Sequence, residues 1–108
     1  MAKLDIPQGT LDLMILTMLG REAMHGYGIS QRLALLSRDR FKVNPGSLFP
    51  SLYRLEQDGK LKAEWRATEN NRRAKYYRLT AAGRRQLERQ RARWDQVSFA
   101  VASVLEGA

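Results

Sequence analysis

The 108-residue sequence has no cysteine, one histidine and only three prolines. Without cysteine there is no disulfide framework and no thiolate metal site, which fits a reducing cytoplasm. The single histidine, His25, has no cluster of Asp or Glu near it in sequence. It reads as a residue that caps a helix or packs at its start. No glycine-rich phosphate loop and no paired carboxylates accompany it, so no enzyme, metal or cofactor is expected. Long apolar runs are missing too. The longest, residues 13–19, lies between Asp12 and Arg21 and is too short to cross a bilayer. No small-residue cleavage pattern follows it, so it reads as a core helix and not as a secretory segment. There is no internal repeat and no low-complexity linker.

What the chain has in excess is positive charge. Nineteen Lys and Arg stand against eleven Asp and Glu, a net of +8. The sequence pI is about 10.4. Such a balance points to nucleic acid or another anionic partner. The charge is unevenly spread: residues 1–59 carry a net of +1, residues 60–94 carry +9 and residues 95–108 carry −2. A functional surface concentrates charge, whereas a merely solvated one intersperses it. A chain of this length makes one domain with at most an appended element, and its core is modest.

Residues 44–59 organise the rest. Leu48, Leu52 and Leu55 recur at i, i+4 and i+7 and predict one apolar helix face. Ser47, Ser51, Arg54 and Asp58 follow the same spacing on a polar face. Asn44-Pro45 is a start signal and Asp58-Gly59 a stop signal. Pro50 is expected in about the first turn, where a missing N–H costs least.

Ahead of this helix, residues 1–8 read as a mobile arm. Thr10 is the expected N-cap of a first helix that Gly20 closes, with Asp12 favourable in its first turn and Leu11, Met14, Ile15, Met18 and Leu19 inward. Residues 21–24 read as a connector. A second helix over residues 26–37 turns Ile29, Leu33 and Leu36 inward. Residues 38–43 are loop, with room for a short strand at 41–43.

Behind the organising helix the period changes. Leu61, Ala63 and Trp65 alternate with Lys62, Glu64 and Arg66, as in a half-buried strand. Residues 68–72 have turn chemistry, because Asn tolerates positive φ. Residues 73–79 form a second strand with Tyr77 and Leu79 on one face. Thr80 then caps a last helix running from 81 to about 105, on the order of 35 Å long at ~1.5 Å per residue. Leu87, Trp94 and Val101 repeat every seven residues, with Gln90, Val97 and Val104 between them. Such a helix overshoots its own domain and suits packing on a second copy. The fold class is therefore mostly α with a small β-hairpin, α+β overall. Residues 1–79 form a winged helix-turn-helix DNA-binding domain, and residues 80–108 a C-terminal dimerisation helix.

Several stretches carry a family likeness: Gly9-Thr10-Leu11-Asp12-Leu13, His25-Gly26-Tyr27-Gly28-Ile29, Pro45-Gly46-Ser47-Leu48-Phe49-Pro50, Tyr53-Arg54-Leu55-Glu56 and Tyr76-Tyr77-Arg78-Leu79-Thr80. In this order and with these gaps they resemble the PadR family of bacterial transcriptional regulators, over nearly the whole chain. The chain is similar to the short branch, which has a single C-terminal helix. The resemblance implies a winged-helix DNA-binding domain, a homodimer through the last helix and repression of a nearby operon. It also implies that a flat aromatic effector can bind between paired tryptophans, a position that Trp94 matches. Phe49 departs from the family's usual tyrosine and lacks the hydroxyl that could reach a phosphate.

The candidate DNA-binding residues are Tyr27, Ser47, Phe49, Pro50, Ser51, Arg54, Asn71, Arg72, Arg73 and Lys75. Each has a plainer reading. The serines and Arg54 could be an ordinary solvated face, and the wing cations a solvated hairpin tip. Their adjacency in a helix-then-wing order favours DNA. Tyr27 fits equally a core ring or a phosphate contact. Candidate dimerisation residues are Leu87, Trp94, Val97, Val101, Val104 and Leu105, and Trp94 is the effector-binding candidate. A dimer would set two recognition helices in successive major grooves roughly 10 bp apart. An RNA-binding protein or a non-specific nucleoid-type binder is the alternative.

Overall fold

Three short amphipathic helices turn their apolar faces toward one another, and the sheet closes the core from the side. The computed structural model describes residues 4–7 and 9–107. Among them the order is α1 (Thr10–Leu19), β1 (Met24–His25), α2 (Gly26–Leu36), α3 (Pro45–Gln57), β2 (Leu61–Ala67), β3 (Arg73–Leu79) and α4 (Ala81–Gly107). The three strands form one antiparallel sheet in the order β1-β3-β2. The expected α+β winged architecture is the one found. The core joins Ile15, Leu16 and Leu19 of α1, Ile29 and Leu33 of α2, and the three α3 leucines to Leu61 and Tyr77.

The organising helix forms as its sequence dictates. Asn44 accepts the Ser47 N–H on its side chain at 2.9 Å, and Pro45 takes the first helical position. Leu48, Leu52 and Leu55 are all buried. At the far end Gly59 adopts φ 75°, a left-handed conformation that suits glycine. Its N–H donates to Glu56 O and the Lys60 N–H to Leu55 O, which closes the last carbonyls. Pro50 is a correction. It is the sixth helical residue, past the first turn, so the Gly46 carbonyl loses its i+4 donor. Gly46 and Pro50 are both exposed, and water can serve that carbonyl.

The N-terminal arm is another correction. Leu4 forms a parallel bridge with Phe41, and its N–H donates to Arg40 O at 2.9 Å. Residues 1–3 and 8 of the expected arm lie outside the described residues. The N-cap of α1 is Gly9 and not Thr10, whose hydroxyl donates instead to Pro7 O at 2.6 Å. Residues 21–24 are not wholly connector, since Met24 and His25 pair with Tyr77 and Tyr76 on the free edge of β3. Two residues are too few for a period to register. Leu36, expected inward, is half exposed at the end of α2. The segment 41–43 makes only the Phe41 bridge and no strand.

Thr80 caps α4 as expected: its Oγ1 accepts the Gly83 N–H at 3.0 Å and donates to Gly59 O at 2.6 Å. Gly83 is buried against Lys60, and a β-carbon there would overlap the Lys60 carbonyl oxygen. The start of α4 is thereby bolted to the end of α3. From Arg91 to Gly107 every residue is exposed.

Candidate nucleic-acid interface

With its leucines spent on the core, α3 turns the opposite side outward. Ser47 is exposed and Ser51 half-buried. Neither hydroxyl has a hydrogen-bond partner among the described residues. Tyr53 and Arg54 are exposed in the next turn. Phe49 is half exposed, and the other part of its ring lies over Gly26. A β-carbon at Gly26 would come within 2.6 Å of Phe49 Cε1. The ring thus sets the approach of α2 to α3 and keeps only one edge for an outside partner.

Arg54 is not idle. Its Nη2 donates to Asp12 Oδ1 at 2.9 Å, and Nη1 stands 2.9 Å from Oδ2. This contact joins α3 to α1 and raises the Arg54 pKa, chiefly through the hydrogen bond to Asp12. Asp12 serves more than the helix dipole that the sequence suggested.

The wing is the β2–β3 hairpin, in register from Leu61 opposite Leu79 to Ala67 opposite Arg73. Asn71 takes φ 60° at its tip, as turn chemistry required. Thr68 and Arg72 close the turn, the Thr68 N–H donating to Arg72 O at 2.6 Å. Arg72 and Arg73 are exposed and make no ion pair among the described residues. Lys75 differs from them. Its Nζ reaches back 2.9 Å to Glu56 of α3 and lies 5.5 Å from the centre of the Tyr77 ring. The hydrogen bond to Glu56 is the main cause that raises its pKa, while burial raises that of Tyr77. Of the three candidate wing cations, Arg72 and Arg73 at the tip are thus without an ion pair among the described residues, and Lys75 is a tether.

Trp65 breaks the inward alternation expected of β2. It is 60% exposed, because the hairpin there has run past the core that covers Leu61 and Ala63. Tyr27 is no core ring either. It is exposed, its hydroxyl accepts from Gln31 Nε2 at 3.0 Å, and its ring lies nearly parallel to His25. His25 caps α2 by accepting the Gly28 N–H on Nδ1 at 3.0 Å and meets Tyr76 edge-on.

On α4, Leu87 packs on the core beside Gly20, since the first turns of the helix lie against the domain. Trp94, Val97, Val101, Val104 and Leu105 are exposed. So is Phe99, which the seven-residue pattern omits because it falls about 150° around the helix from that stripe. Trp94 and Arg91 border a groove of about 400 Å³ whose other walls are Leu13, Met14 and Thr17 of α1 with Leu33 and Leu36 of α2. Among the described residues no group of three or more His, Cys, Asp or Glu could hold a metal ion, and no helix is long and apolar enough to cross a membrane.

Sequence reasoning missed Asp12 and Glu56, the two carboxylates that hold the basic residues. Both pairings are long-range, and no local spacing announces them.

Residues 15–89 match a family model described as the transcriptional regulator PadR-like family. The transcriptional regulator Rv3488 of Mycobacterium tuberculosis is 34% identical over 94 residues, covering 87% of this chain and 84% of that protein. A crystal structure of a PadR-like transcriptional regulator from Bacillus cereus is similar with a TM-score of 0.82 at 30% identity, covering 94% of this chain and 96% of the other. A PadR family regulator from Eggerthella lenta has a TM-score of 0.80 at 33% identity, covering 94% and 86%.

Proposed function

Because the chain belongs to the PadR-like family of transcriptional regulators, whose members are not enzymes, we propose that it binds a pseudo-palindromic operator as a homodimer and represses transcription. One observation carries this reading. The Lys75–Glu56 pair joins a hairpin, whose tip carries Arg72 and Arg73 without an ion pair among the described residues, to the flank of a helix that offers Ser47, Ser51 and Arg54 outward. A recognition helix beside a cationic wing is the arrangement that reads duplex DNA in other winged proteins. In this reading Arg72, Arg73 and the polar tip at Asn71 grip phosphates and supply affinity. Ser47, Ser51 and Arg54 face the major groove, with the exposed edges of Phe49 and Pro50 beside them. Lys75 acts as a tether, and Tyr27 is a peripheral phosphate contact.

The dimer forms through residues 80–108. The exposed stripe of Trp94, Val97, Val101, Val104 and Leu105 needs an apolar partner, and the groove beside Trp94 has the chemistry to receive the same stripe from a second copy. A flat aromatic effector stacks at Trp94 and changes the spacing of the two recognition helices. It acts through different affinities for the two dimer arrangements.

Selection of bound duplexes from a random pool tests the whole reading. The expected result is a two-fold symmetric site with half-sites roughly 10 bp apart or a multiple of that. Recovery of unrelated sequences would instead mark a non-specific nucleoid-type binder, and preference for single-stranded RNA an RNA-binding protein. For the effector, planar dyes should quench tryptophan fluorescence in the wild type and not in Trp94→Ala, with Trp65 as the constant background.

A further inference from the structure

We propose that Asp12 is a positioning residue for DNA recognition, a carboxylate on α1 that holds the Arg54 guanidinium of the recognition helix in one orientation toward the duplex. The inference rests on the DNA-binding reading above and deepens it. Its basis is the geometry of the pair. Two guanidinium nitrogens face two carboxylate oxygens, each at 2.9 Å. A planar fork on a planar carboxylate fixes rotation as well as distance. Arg54 has five N–H donors, so a two-point contact leaves three for another partner.

The exposures are unequal, and the inequality gives the pair a direction. The Arg54 side chain is 53% exposed and that of Asp12 only 19%. The carboxylate stands behind and the cation in front. An unshielded carboxylate on a DNA-facing surface would repel phosphate. Here its charge is matched by the arginine it supports, and Nε–H with one N–H on each Nη is not used by the carboxylate. A long arginine otherwise loses rotamer freedom when it binds. One already held in place forgoes that loss, so its contact is both tighter and more selective.

A rival reading makes the opposite prediction. If the pair only neutralises Arg54, then removing Asp12 frees a cation and strengthens binding. Charge alone also says that deleting an acid near DNA should help. The sign of the effect therefore decides between the two.

The test uses full-length protein and the duplex recovered by wild-type selection, with affinity measured across a range of salt. Asp12→Asn is expected to weaken binding about tenfold. Asp12→Asn combined with Arg54→Ala should bind no worse than Arg54→Ala alone. Arg54→Lys keeps the charge and loses the fork, so it should lose about as much as Asp12→Asn. That substitution is at a half-exposed side chain and keeps the inference testable even if Asp12→Asn folds poorly. Equal or tighter binding by folded Asp12→Asn, with a salt slope steeper by about one, overturns the inference, as does wild-type affinity in Arg54→Lys. A wild type that selects no duplex at all removes the DNA-binding reading and this inference with it. A wild type that selects well beside an unimpaired Asp12→Asn removes this inference alone.

Discussion

Lys75 Nζ lies 2.9 Å from Glu56 Oε1, a polar contact that adds to the packing of Leu61 and Tyr77 on the α3 leucines in holding the wing to α3. The two side chains are about one-third exposed, so the pair contributes modestly to stability, about 0.5–1 kcal/mol after solvent screening. Its larger role is geometric. Glu56→Gln should leave the fold intact, lower stability by that amount in urea and free Lys75 for phosphate. Binding to arbitrary duplex should then strengthen and its salt slope steepen by about one. Discrimination between operator and arbitrary duplex should fall as the wing loses its fixed station. A variant with unchanged slope and unchanged discrimination would show that the tether has no part in binding.

The forward cations should behave differently. Arg72→Ala with Arg73→Ala removes two charges that no described residue neutralises. The slope of log affinity against log salt should fall by about two, and operator and arbitrary duplex should weaken nearly alike. If the slope stays where it is, the hairpin tip does not touch phosphate.

Gly83→Ala tests the joint at the root of α4. The added methyl would meet the Lys60 carbonyl oxygen, a backbone atom that cannot swing aside. We expect a loss of about 1–3 kcal/mol in chemical denaturation, although alanine is the better helix former by about 1 kcal/mol. A more stable variant would mean that α4 can shift at its root without penalty.

Stability should fall on the alkaline side. Burial raises the Tyr77 pKa and the hydrogen bond to Glu56 raises that of Lys75. In both cases the folded state holds its proton longer than the unfolded chain. The stabilisation is complete below the unfolded values, about 10 for either group, and is lost as pH climbs through the folded ones. Urea midpoints should thus stay level from these two groups through neutrality and drop above about pH 10. Tyr77→Phe should flatten part of that drop. A drop of the same size in Tyr77→Phe would assign the loss elsewhere.

Much of the fold was legible because local chemistry decides it. Asn44, Pro45 and Gly59 mark both ends of α3, the leucine spacing marks its inner face, and Asn71 marks the wing turn. Thr80 as the cap of α4 and His25 at the start of α2 were equally readable. What stayed hidden depends on residues far apart in sequence. Nothing near Arg54 reveals Asp12, 42 positions earlier, and nothing near Lys75 reveals Glu56. β1 escaped because its two residues become a strand only when the edge of β3 is present to receive them. Trp65 misled because alternation reports which side of a strand a residue is on, and not whether anything covers that side.

The junction of Gly59, Lys60, Thr80 and Gly83, with Leu87 seated on the core beside Gly20, roots the first turns of α4 and leaves its far half as a lever arm. From Asp95, just past the groove that Trp94 borders, to Gly107 the arm is about 18 Å long at ~1.5 Å per residue. A tilt of about five degrees at its base sweeps the far tip through about 1.6 Å, close to the rise of one helical residue. Small angular play at the base of that arm is enough to slide it by about one residue along whatever it rests on.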